Sequence, residues 1–568
     1  MENSMSEKEY LKLFEEEALI IRAITDSMYD PELPNPITYD YKPLRDWFNH
    51  WAEVHPDKPY LLLGDMALSY AYCNDVARRL GNALMELGVK KGDRVAIMAP
   101  NVPQYILGLQ AIWKIGGIEV PANGMYTVTE LTRQLNDNGS ETVIAMAAMA
   151  PKAIAMLQDP NCTVKRVIAF QMPGPKVELP QVEGLFDFDA VVAAASNAEP
   201  DVEITMDDPV RLQYTGGTTG IPKGCVLTNR MVYTMAVRTV LWTTKSYTMV
   251  AQDEVRSMAA IPLNHVYGFN LNVALNIVAG GTIVLVPQPK PDALVEAILK
   301  GRPTIWGAVP TMILGLINMP QVQSGEADFT SLKGVFCGAS ACPVSVMTEF
   351  ERITGGTLVE GYGMSESSNI LTINPMHYRK PGTVGVELPD TDLLVVDTAT
   401  GTKLMPFGED GELICRGTQV IKEYWDNPEE TANAIRDGWL YTGDIVSMDQ
   451  EGFITIKDRK KDMIIVSGFN VFPREIDEVM FANPKVVEAC SVGTPHPTKG
   501  EAPVLYTVLK PGETMDAKEA EAYLRQSLTG YKIPVDYRFV DEIPKTPAGK
   551  PDRKALAALY KAEKEAKA

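Results

Sequence analysis

The sequence has few of the residues that build metal centres or disulfide frameworks. Its five histidines show no metal-ligand spacing, and its seven cysteines are odd in number and include no Cys-x-x-Cys pair. Such a set favours a reducing compartment over a disulfide-stabilised secreted protein, and it excludes the common zinc motifs. No apolar run approaches the about 20 residues that cross a bilayer, and the N-terminal residues lack the features of a secretory signal. We therefore expect a cytoplasmic protein without a transmembrane segment.

Positive charge is also scarce. Lys and Arg number 53 against 73 Asp and Glu, which gives a formal net charge of −20. Because such a chain repels other polyanions, we expect no non-specific binding to nucleic acid or to anionic membranes. The 568 residues suffice for several domain-sized units, and 45% apolar with 22% charged residues is ordinary for a soluble globular protein. A site for an anionic small molecule must therefore concentrate basic side chains locally.

Strand-like and helix-like segments alternate along most of the chain. Apolar segments at 60–63 and 93–98 predict strands, and amphipathic segments at 74–87 and 103–115 predict helices. The Ala- and Met-rich stretch 143–156 is interrupted by a Pro-Lys pair, which favours a buried strand followed by a helix over a membrane segment. This alternation predicts an α/β fold with largely parallel sheets covered by helices.

A glycine-rich stretch at 214–224 predicts a phosphate-binding loop. It reads Tyr-Thr-Gly-Gly-Thr-Thr-Gly-Ile-Pro-Lys-Gly and holds four glycines, four hydroxyl side chains and one lysine. Glycines let backbone N–H groups approach an anion, and hydroxyls and a lysine add donors and positive charge. The P-loop pattern is excluded, because Lys223 stands between Pro222 and Gly224 instead of before a serine or threonine.

Further motifs follow this loop in a fixed order. Together with the loop they resemble the adenylate-forming superfamily, which comprises acyl-CoA synthetases, peptide-synthetase adenylation domains and firefly luciferase. The likeness is greatest to the AMP-forming acyl-CoA synthetases. The motifs are Pro-Leu-Asn-His-Val-Tyr-Gly at 262–268, Gly-Tyr-Gly-Met-Ser-Glu at 361–366, Trp-Leu-Tyr-Thr-Gly-Asp at 439–444, Lys-Asp-Arg-Lys-Lys-Asp at 457–462 and Ile-Pro-Lys-Thr-Pro-Ala-Gly-Lys at 543–550.

The resemblance implies a nucleotide site built from these motifs. Tyr362 would stack on adenine through its flat ring, and Asp444, assisted by Arg459, would accept hydrogen bonds from the ribose hydroxyls. Glu366 would hold magnesium, which prefers oxygen ligands. The implied ATP-binding set is Thr215, Gly216, Gly217, Thr218, Thr219, Gly220, Lys223, Gly338, Ala339, Ser340, Gly361, Tyr362, Gly363, Met364, Ser365, Asp444, Ile456, Arg459 and Lys550.

The resemblance also implies which residues surround the reacting groups. Lys550 would bridge the carboxylate and the α-phosphate, and His265 would lie beside the carboxylate. The charged run 458–462, by itself typical of a solvated turn, would be a hinge with Lys461 as its pivot. The implied CoA tunnel comprises Ser467, Gly468 and Phe469, and the implied acyl pocket comprises His265, Trp306, Val309, Met312, Gly338 and Met364.

Two domains are implied by the same resemblance. Residues 1–457 would form a large N-terminal α/β domain of stacked mixed sheets with helices, which binds ATP and the acyl substrate. After the hinge at 458–462, residues 463–568 would form a small mobile α+β domain that carries Lys550.

The implied activity is that of an AMP-forming acyl-CoA ligase that uses ATP, magnesium and CoA. A carboxylic acid would react with ATP to give an acyl-adenylate and pyrophosphate, and the acyl group would then pass to the CoA thiol. Small and apolar residues in the implied pocket favour a medium-chain fatty or aromatic monocarboxylate. The alternative is a stand-alone adenylating enzyme that loads a carrier-protein thiol. The expected partners are small molecules, and the chain is expected to be a monomer or a homodimer.

Overall fold

The computed structural model describes residues 7–174, 176–215, 222–340, 342–466, 469–546 and 550–567. Several helices begin at a proline, whose fixed φ suits the first helical turn, and the helix that starts at Pro473 is one of them. Two π-helical segments, Thr243–Tyr247 and Phe269–Ala274, each continue the α-helix that precedes them. The helices are α1 (Glu7–Asp26), α2 (Leu44–Val54), α3 (Tyr70–Glu86), α4 (Pro103–Lys114), α5 (Val128–Asn138), α6 (Ala150–Gln158), α7 (Phe188–Ala194), α8 (Asn229–Trp242), α9 (Val266–Gly268), α10 (Leu275–Ala279), α11 (Pro291–Gly301), α12 (Pro310–Ile317), α13 (Pro320–Gln323), α14 (Val344–Thr354), α15 (Pro428–Ala434), α16 (Pro473–Phe481), α17 (Ala517–Leu524) and α18 (Arg553–Lys567).

Strands alternate with these helices through the first two thirds of the chain and predominate after that. They are β1 (Pro59–Leu63), β2 (Met66–Ser69), β3 (Arg94–Met98), β4 (Ile118–Pro121), β5 (Thr142–Met146), β6 (Arg166–Phe170), β7 (Leu185–Asp187), β8 (Pro209–Tyr214), β9 (Gly224–Thr228), β10 (Arg256–Ala259), β11 (Thr282–Leu285), β12 (Ile305–Ala308), β13 (Gly334–Cys337), β14 (Thr357–Tyr362), β15 (Thr372–Ile373), β16 (Val386–Glu387), β17 (Thr391–Val396), β18 (Gly411–Gly417), β19 (Ile435–Arg436), β20 (Trp439–Met448), β21 (Ile454–Arg459), β22 (Ile464–Val466), β23 (Phe469–Val471), β24 (Val486–His496), β25 (Gly500–Leu509) and β26 (Asp536–Phe539).

Within the described ranges these strands form four sheets. A seven-stranded sheet has the order β7-β6-β5-β3-β4-β8-β9, and a nine-stranded sheet has the order β16-β15-β14-β13-β12-β10-β11-β1-β2. The third sheet has the order β17-β18-β20-β19 with β21 beside β20, and the fourth has the order β23-β22-β25-β24 with β26 beside β25. Both large sheets are parallel in their middle. The nine-stranded sheet has antiparallel strands at both edges and the seven-stranded sheet at one, so the prediction of mixed sheets is confirmed.

The two large sheets share one hydrophobic core. Their central strands are buried on both faces, as expected for parallel strands between layers, and every residue of β4 and β11 is buried. The core joins Ile97 of the seven-stranded sheet, Val240 of α8 and Ile283 of the nine-stranded sheet. The predicted stacking of sheets and helices is therefore confirmed.

The third and fourth sheets are smaller and mostly antiparallel. Helix α1 packs on the third sheet, where the ring of Phe14 meets Trp439 edge-on with 5.8 Å between centroids. The fourth sheet packs against α16, α17 and α18, and described residues between 464 and 560 form two apolar clusters of their own. This agrees with a small α+β C-terminal unit, although the boundary at 457–463 stays a prediction.

Two segments differ from the sequence-based expectations. Helix α3 begins at Tyr70 rather than at residue 74, because the side chain of Ser69 caps it by accepting from the N–H of Tyr72. The charged run 458–462 is not wholly a solvated turn. Asp458 and Arg459 complete β21, and Asp458 is buried, where it accepts a hydrogen bond from the N–H of Arg474 at 2.8 Å.

No helix in the described part of the chain combines the length and the apolar content needed to cross a membrane.

Candidate active site

Three neighbouring parallel strands of the nine-stranded sheet end at one edge. The register pairs Ala308 of β12 with Cys337 of β13, and Cys337 with Glu360 of β14. In parallel sheets, ligands bind beyond the carboxyl ends of the strands. The segments 338–340 and 361–366 leave adjacent strands at this edge, so two of the predicted nucleotide-binding segments lie side by side.

The segment after β13 has a strained backbone. The N–H of Gly338 donates to the carbonyl oxygen of Ala308 at 3.2 Å, and a Cβ on Gly338 would lie 3.4 Å from the ring of Tyr267. Ala339 follows with φ of 66°, in the left-handed region that a residue with a Cβ rarely adopts. Strain of this kind clusters at binding sites, which supports the assignment of 338–340 to the nucleotide site.

The segment after β14 requires a glycine at its bend. A Cβ on Gly363 would lie 1.5 Å from the carbonyl oxygen of Asn369, so no other residue fits. Ser365–Ser367 then form one 3-10 turn. The N–H of Ile421 donates to the carbonyl oxygen of Glu366 at 2.8 Å, which attaches this turn to the chain after β18. The bend holds a hydroxyl and a carboxylate directly beyond the strand end.

Asp444 and Arg459 face each other across β20 and β21. The Nε of Arg459 lies 2.6 Å from Oδ1 of Asp444, and the hydroxyl of Tyr362 donates to Oδ2 of the same carboxylate. Asp444 is buried, and burial raises the pKa of Tyr362 well above its usual value. The structure thus brings together the three residues predicted at adenine and ribose, with Ile456 on the same strand as Arg459.

Glu366 is a buried carboxylate whose hydrogen-bond partners are neutral. The hydroxyl of Tyr424 donates to its Oε1 at 2.9 Å. Burial raises the pKa of Glu366, and the hydrogen bond from Tyr424 and the charge of Arg459 oppose that shift in part. A buried carboxylate without an adjacent counter-charge favours the binding of a cation.

The predicted phosphate loop connects β8 to β9, which pair antiparallel with Tyr214 opposite Gly224. The N–H of Thr215 donates to the carbonyl oxygen of Lys223 at 2.9 Å and closes the base of the loop. Lys223 forms an ion pair with Glu430, and its ammonium lies 5.2 Å from the centre of the Tyr424 ring. Gly216, Gly217, Thr218, Thr219 and Gly220 lie outside the described residues.

His265 caps the short helix α9. Its Nδ1 accepts a hydrogen bond from the N–H of Tyr267 at 3.2 Å, which leaves the ring proton on Nε2. Burial lowers the pKa of His265 to about 4, and the positive charges of Lys550 and Arg211 act in the same direction. The imidazole is therefore neutral at pH 7, and Lys550 lies near enough to influence it.

Lys550 is exposed, yet its ammonium is near several charged groups of the site. Partial burial lowers the pKa of Lys550, and the positive charges of Arg459 and Lys461 lower it further while Asp444 raises it. The base of the loop is closed by the N–H of Thr546, which donates to the carbonyl oxygen of Lys550 at 2.7 Å. Lys550 and the predicted pivot, Lys461, thus both interact electrostatically with the carboxylate of Asp444.

The predicted acyl-pocket residues do not all come together. Gly307 and Gly338 both face Tyr267, on the side of the sheet that leads to His265. Because side chains alternate along a strand, Trp306 points to the other face, where it is fully buried in a separate cluster with Ile313. Val309, Met312 and Met364 are half-buried and border the apolar cores.

Of the predicted CoA tunnel, Ser467 and Gly468 lie outside the described residues, and Phe469 is described only as the first residue of β23.

These features occur in a chain that matches a known family over most of its length. The sequence profile of the AMP-binding enzyme family matches residues 48–425, and that of the AMP-binding enzyme C-terminal domain matches residues 475–550. The chain belongs to the AMP-binding enzyme family. The predicted resemblance to adenylate-forming acyl-CoA synthetases is thereby confirmed.

Relatives of this AMP-binding enzyme agree with the assignment. A long-chain-fatty-acid–CoA ligase of Bacillus subtilis (strain 168) is 36% identical over 546 residues, which cover 93% of this chain and 96% of the relative. A feruloyl-CoA synthase of Amycolatopsis sp is 33% identical over 511 residues, which cover 89% and 97%. The crystal structure of ATP-bound MatB from Rhodopseudomonas palustris matches with a TM-score of 0.81 at 28% identity, over 91% of this chain and 99% of that one.

The protein is therefore an AMP-forming acyl-CoA ligase that uses ATP, magnesium and CoA. Among the described residues, no group of three or more His, Cys, Asp and Glu side chains is arranged to hold a metal ion. This fits magnesium, which proteins commonly bind through one or two carboxylates together with substrate phosphates. Glu366 stays the predicted magnesium ligand, since the other buried carboxylate of the candidate site, Asp444, is already paired with Arg459.

Sequence reasoning missed three contacts of this AMP-binding enzyme. Tyr424 links Glu366 to Lys223, Glu430 pairs with Lys223, and Tyr267 lies under Gly338. Tyr267 stands two residues after His265 within a recognised motif, so its position was a usable signal. The other two lie more than 50 residues from their partners, and no local pattern marks them.

Proposed function

We propose that this acyl-CoA ligase activates an apolar monocarboxylate, either a medium-chain fatty acid or an aromatic acid. The observation that carries the proposal is the position of Tyr267. A Cβ on Gly338 would lie 3.4 Å from its ring, and a Cβ on Gly307 would lie 3.4 Å from its hydroxyl oxygen and 2.4 Å from a methyl of Leu271. The hydroxyl donates to the carbonyl oxygen of Phe336 at 2.7 Å. An anchored, buried ring over two glycines limits the depth available to an acyl chain.

The two steps have different chemical needs. A carboxylate is a poor electrophile, so it first attacks the α-phosphorus of ATP, which forms the acyl-adenylate and releases pyrophosphate. The thiolate of CoA then attacks the acyl carbon and expels AMP. Lys550 balances charge on the α-phosphate and the incoming carboxylate, Asp444 and Arg459 hold the ribose, and neutral His265 orients the carboxylate. Positioning and electrostatic stabilisation supply most of the acceleration.

A rotation about Lys461 separates the two steps in this proposal. In the described conformation Lys550 lies near His265 and Asp444. In this proposal it then occupies the side from which the thiol approaches the acyl carbon. Rotation of the predicted domain 463–568 withdraws the lysine and brings the strand around Phe469 to the acyl group. The turn at 460–462, which follows β21, is the segment that changes conformation.

The substrate class is tested by pyrophosphate release with straight-chain acids from acetate to stearate, and with benzoate and ferulate. We expect the highest kcat/KM for a medium-chain or aromatic acid. Tyr267→Ala should raise kcat/KM for palmitate relative to octanoate by about tenfold, since one methylene in a pocket is worth roughly 1–3 kcal/mol. Tyr267→Phe, the matched control, keeps the ring and should keep the preference. A wild-type preference for stearate would contradict the proposal.

The acyl acceptor is tested in the same reaction. With an accepted acid, we expect acyl-CoA by chromatography and no requirement for any protein acceptor. Formation of acyl-AMP that CoA does not consume would favour the alternative, an enzyme that loads a carrier-protein thiol. The predicted cytoplasmic location, the absence of nucleic-acid binding and the oligomeric state remain predictions.

A further inference from the structure

A buried ion pair lies beneath the segment that carries His265. Glu119 of β4 and Arg211 of β8 are paired in register on neighbouring strands of the seven-stranded sheet, and both side chains are fully buried. Nη1 of Arg211 donates to Oε2 of Glu119 at 2.9 Å. The guanidinium also lies 4.3 Å from the centre of the Phe269 ring.

The hydrogen bonds of this pair cross to the other large sheet. Nη2 of Arg211 donates to the carbonyl oxygen of Leu263 at 3.0 Å, and the hydroxyl of Tyr105, which donates to Glu119 at 2.7 Å, also contacts that oxygen at 3.3 Å. Nε of Arg211 donates to Gln213 at 2.8 Å, and the Gln213 amide donates to the carbonyl oxygen of Asn264 at 3.2 Å. The two carbonyls that immediately precede His265 are thus both held from the opposite sheet.

The same strand leads directly into the phosphate loop. Arg211 and Gln213 lie on β8, which ends at Tyr214, and Thr215 then opens the loop. The contacts to Leu263 and Asn264 therefore link the backbone beside the carboxylate to the backbone that enters the phosphate-binding loop. These are the two sides between which the new acyl–phosphate bond must form.

Stability alone does not account for this arrangement. A buried ion pair loses much of its Coulombic gain to desolvation, and apolar replacements of similar volume are often equally stable. The chain contains a useful contrast in Lys114, which is also fully buried and whose ammonium contacts Glu199 at 2.8 Å and Asn49 at 2.6 Å. Those contacts lie away from the site, whereas those of Arg211 end on the residues before His265.

We propose that Glu119 and Arg211 are positioning residues for adenylation, which act through the carbonyls of Leu263 and Asn264 on His265. The proposal rests on the proposed role of His265 in the first half-reaction. Neither charge touches the reacting groups. Their function is to fix the distance between the histidine segment and the strand that enters the phosphate loop.

The test uses the full chain and measures acid-dependent pyrophosphate release. Glu119→Leu combined with Arg211→Met removes both charges without leaving either one unpaired. We expect the melting temperature to stay within a few degrees and kcat for adenylation to fall about 10- to 100-fold, because misplacement of about 1 Å can reduce rates that strongly. The KM for ATP should stay nearly unchanged, since the ribose contacts are elsewhere. Lys114→Met is the matched control and should keep kcat.

A double-mutant cycle separates positioning from general damage. On a His265→Ala background, the paired substitution should reduce kcat by less than about threefold, since residues that act through one another are not additive. Full additivity would overturn the proposal, and so would an equal loss in Lys114→Met. If the paired variant does not fold, Glu119→Gln is measured in its place with the same cycle.

The control reactions distinguish this proposal from the one on which it rests. Absence of acid-dependent pyrophosphate release in the wild-type protein would remove the proposed function. Normal kcat in the paired variant, with an active wild type and an impaired His265→Ala, would remove only the positioning role. Normal kcat in His265→Ala would overturn the positioning role together with that of the histidine.

Discussion

Asp444 and Glu366 are both buried carboxylates in the candidate nucleotide site, but their surroundings differ. Asp444 lies 2.6 Å from the Nε of Arg459 and accepts from the hydroxyl of Tyr362. Glu366 accepts from the neutral hydroxyl of Tyr424, and no ion pair joins it to a basic side chain in the described ranges. Asp444 is already paired with a positive charge, which suits it to accept hydrogen bonds from a nucleotide. Glu366 has no paired positive charge, which suits it to bind a cation that arrives with the substrate.

The largest expected effect concerns Lys550, the positive charge that the predicted small domain supplies. Lys550→Ala should reduce formation of acyl-AMP by about 10²–10³-fold, the usual effect of removing one preorganised charge contact. Given synthetic acyl-adenylate, the same variant should make acyl-CoA at nearly the wild-type rate. Quenched-flow measurement of the two half-reactions checks this prediction.

Lys461→Pro is the opposite control for Lys550→Ala. Proline fixes φ and restricts the preceding residue, so it should stiffen the predicted pivot. We expect it to spare adenylation and slow thioester formation. Equal loss of both half-reactions in Lys550→Ala would contradict the two-conformation mechanism.

A smaller effect is expected for Glu366→Gln. The substitution keeps shape but removes the charge that attracts magnesium, so adenylation should fall about 10- to 100-fold and recover partly at high magnesium concentration. Glu360→Gln is a matched control, because Glu360 is also buried, on β14 just before the turn that carries Glu366, and burial raises its pKa as well. Magnesium titrations of both variants are the measurement, and an unshifted titration for Glu366→Gln would rule out the metal role.

Asp444→Asn should act mainly on nucleotide binding. Loss of the charge-assisted hydrogen bonds to ribose should raise KM for ATP about tenfold, which corresponds to about 1.4 kcal/mol. Asp392→Asn is the control, since Asp392 is buried and paired with Arg416 at 2.7 Å on the third sheet. Isothermal titration with ATP should show weakened binding only for Asp444→Asn. Normal ATP affinity would exclude Asp444 from the site.

The smallest effect concerns the stability of the nucleotide-free protein. At neutral pH, removing the charge of Glu366 should stabilise the folded state, whereas removing that of Asp444 should destabilise it. The pKa of Glu366 is raised above its ordinary 4.5, so its carboxyl group binds a proton more tightly in the folded state than in the unfolded state. The stability contributed by the protonated carboxyl group is lost as pH rises through the raised pKa. Glu366→Gln should therefore gain stability relative to wild type as pH increases above about 4.5. Asp444→Asn should lose stability at pH 7, because Arg459 loses its partner. Urea unfolding between pH 4 and pH 8 measures the stability of both variants. A change in the same direction for both would contradict the proposed difference between the two carboxylates.

The sequence identified motifs well because each is local. The bend after β14 requires a glycine at position 363. Asp444 and Arg459 lie on consecutive strands that pair as a hairpin, so the fold brings these two predicted site residues together. The link from Glu366 to Tyr424 depends instead on how the turn after β14 meets the chain after β18. A contact between residues this far apart in the sequence produces no local or periodic pattern from which it could be predicted.

Trp306 shows a second limit of sequence reasoning. All four residues of β12 are buried, so the strand has no alternation of polar and apolar residues to reveal which face each side chain occupies. The tryptophan was assigned to the pocket by alignment with a motif, while the fold turns it to the opposite face. Asp458 was likewise expected in solvent because its neighbours are charged, and a backbone N–H of α16 instead holds it in a buried position.

The packing of α1 on the third sheet has a consequence for synthesis on the ribosome. Phe14 leaves the ribosome about 400 residues before Leu413 and Trp439, with which it shares one apolar cluster. At roughly 5–20 residues per second, the apolar face of this helix waits on the order of 20–80 s for its partner surface. The apolar face of α1 therefore stays uncovered by the third sheet until the strands after residue 413 have been synthesised.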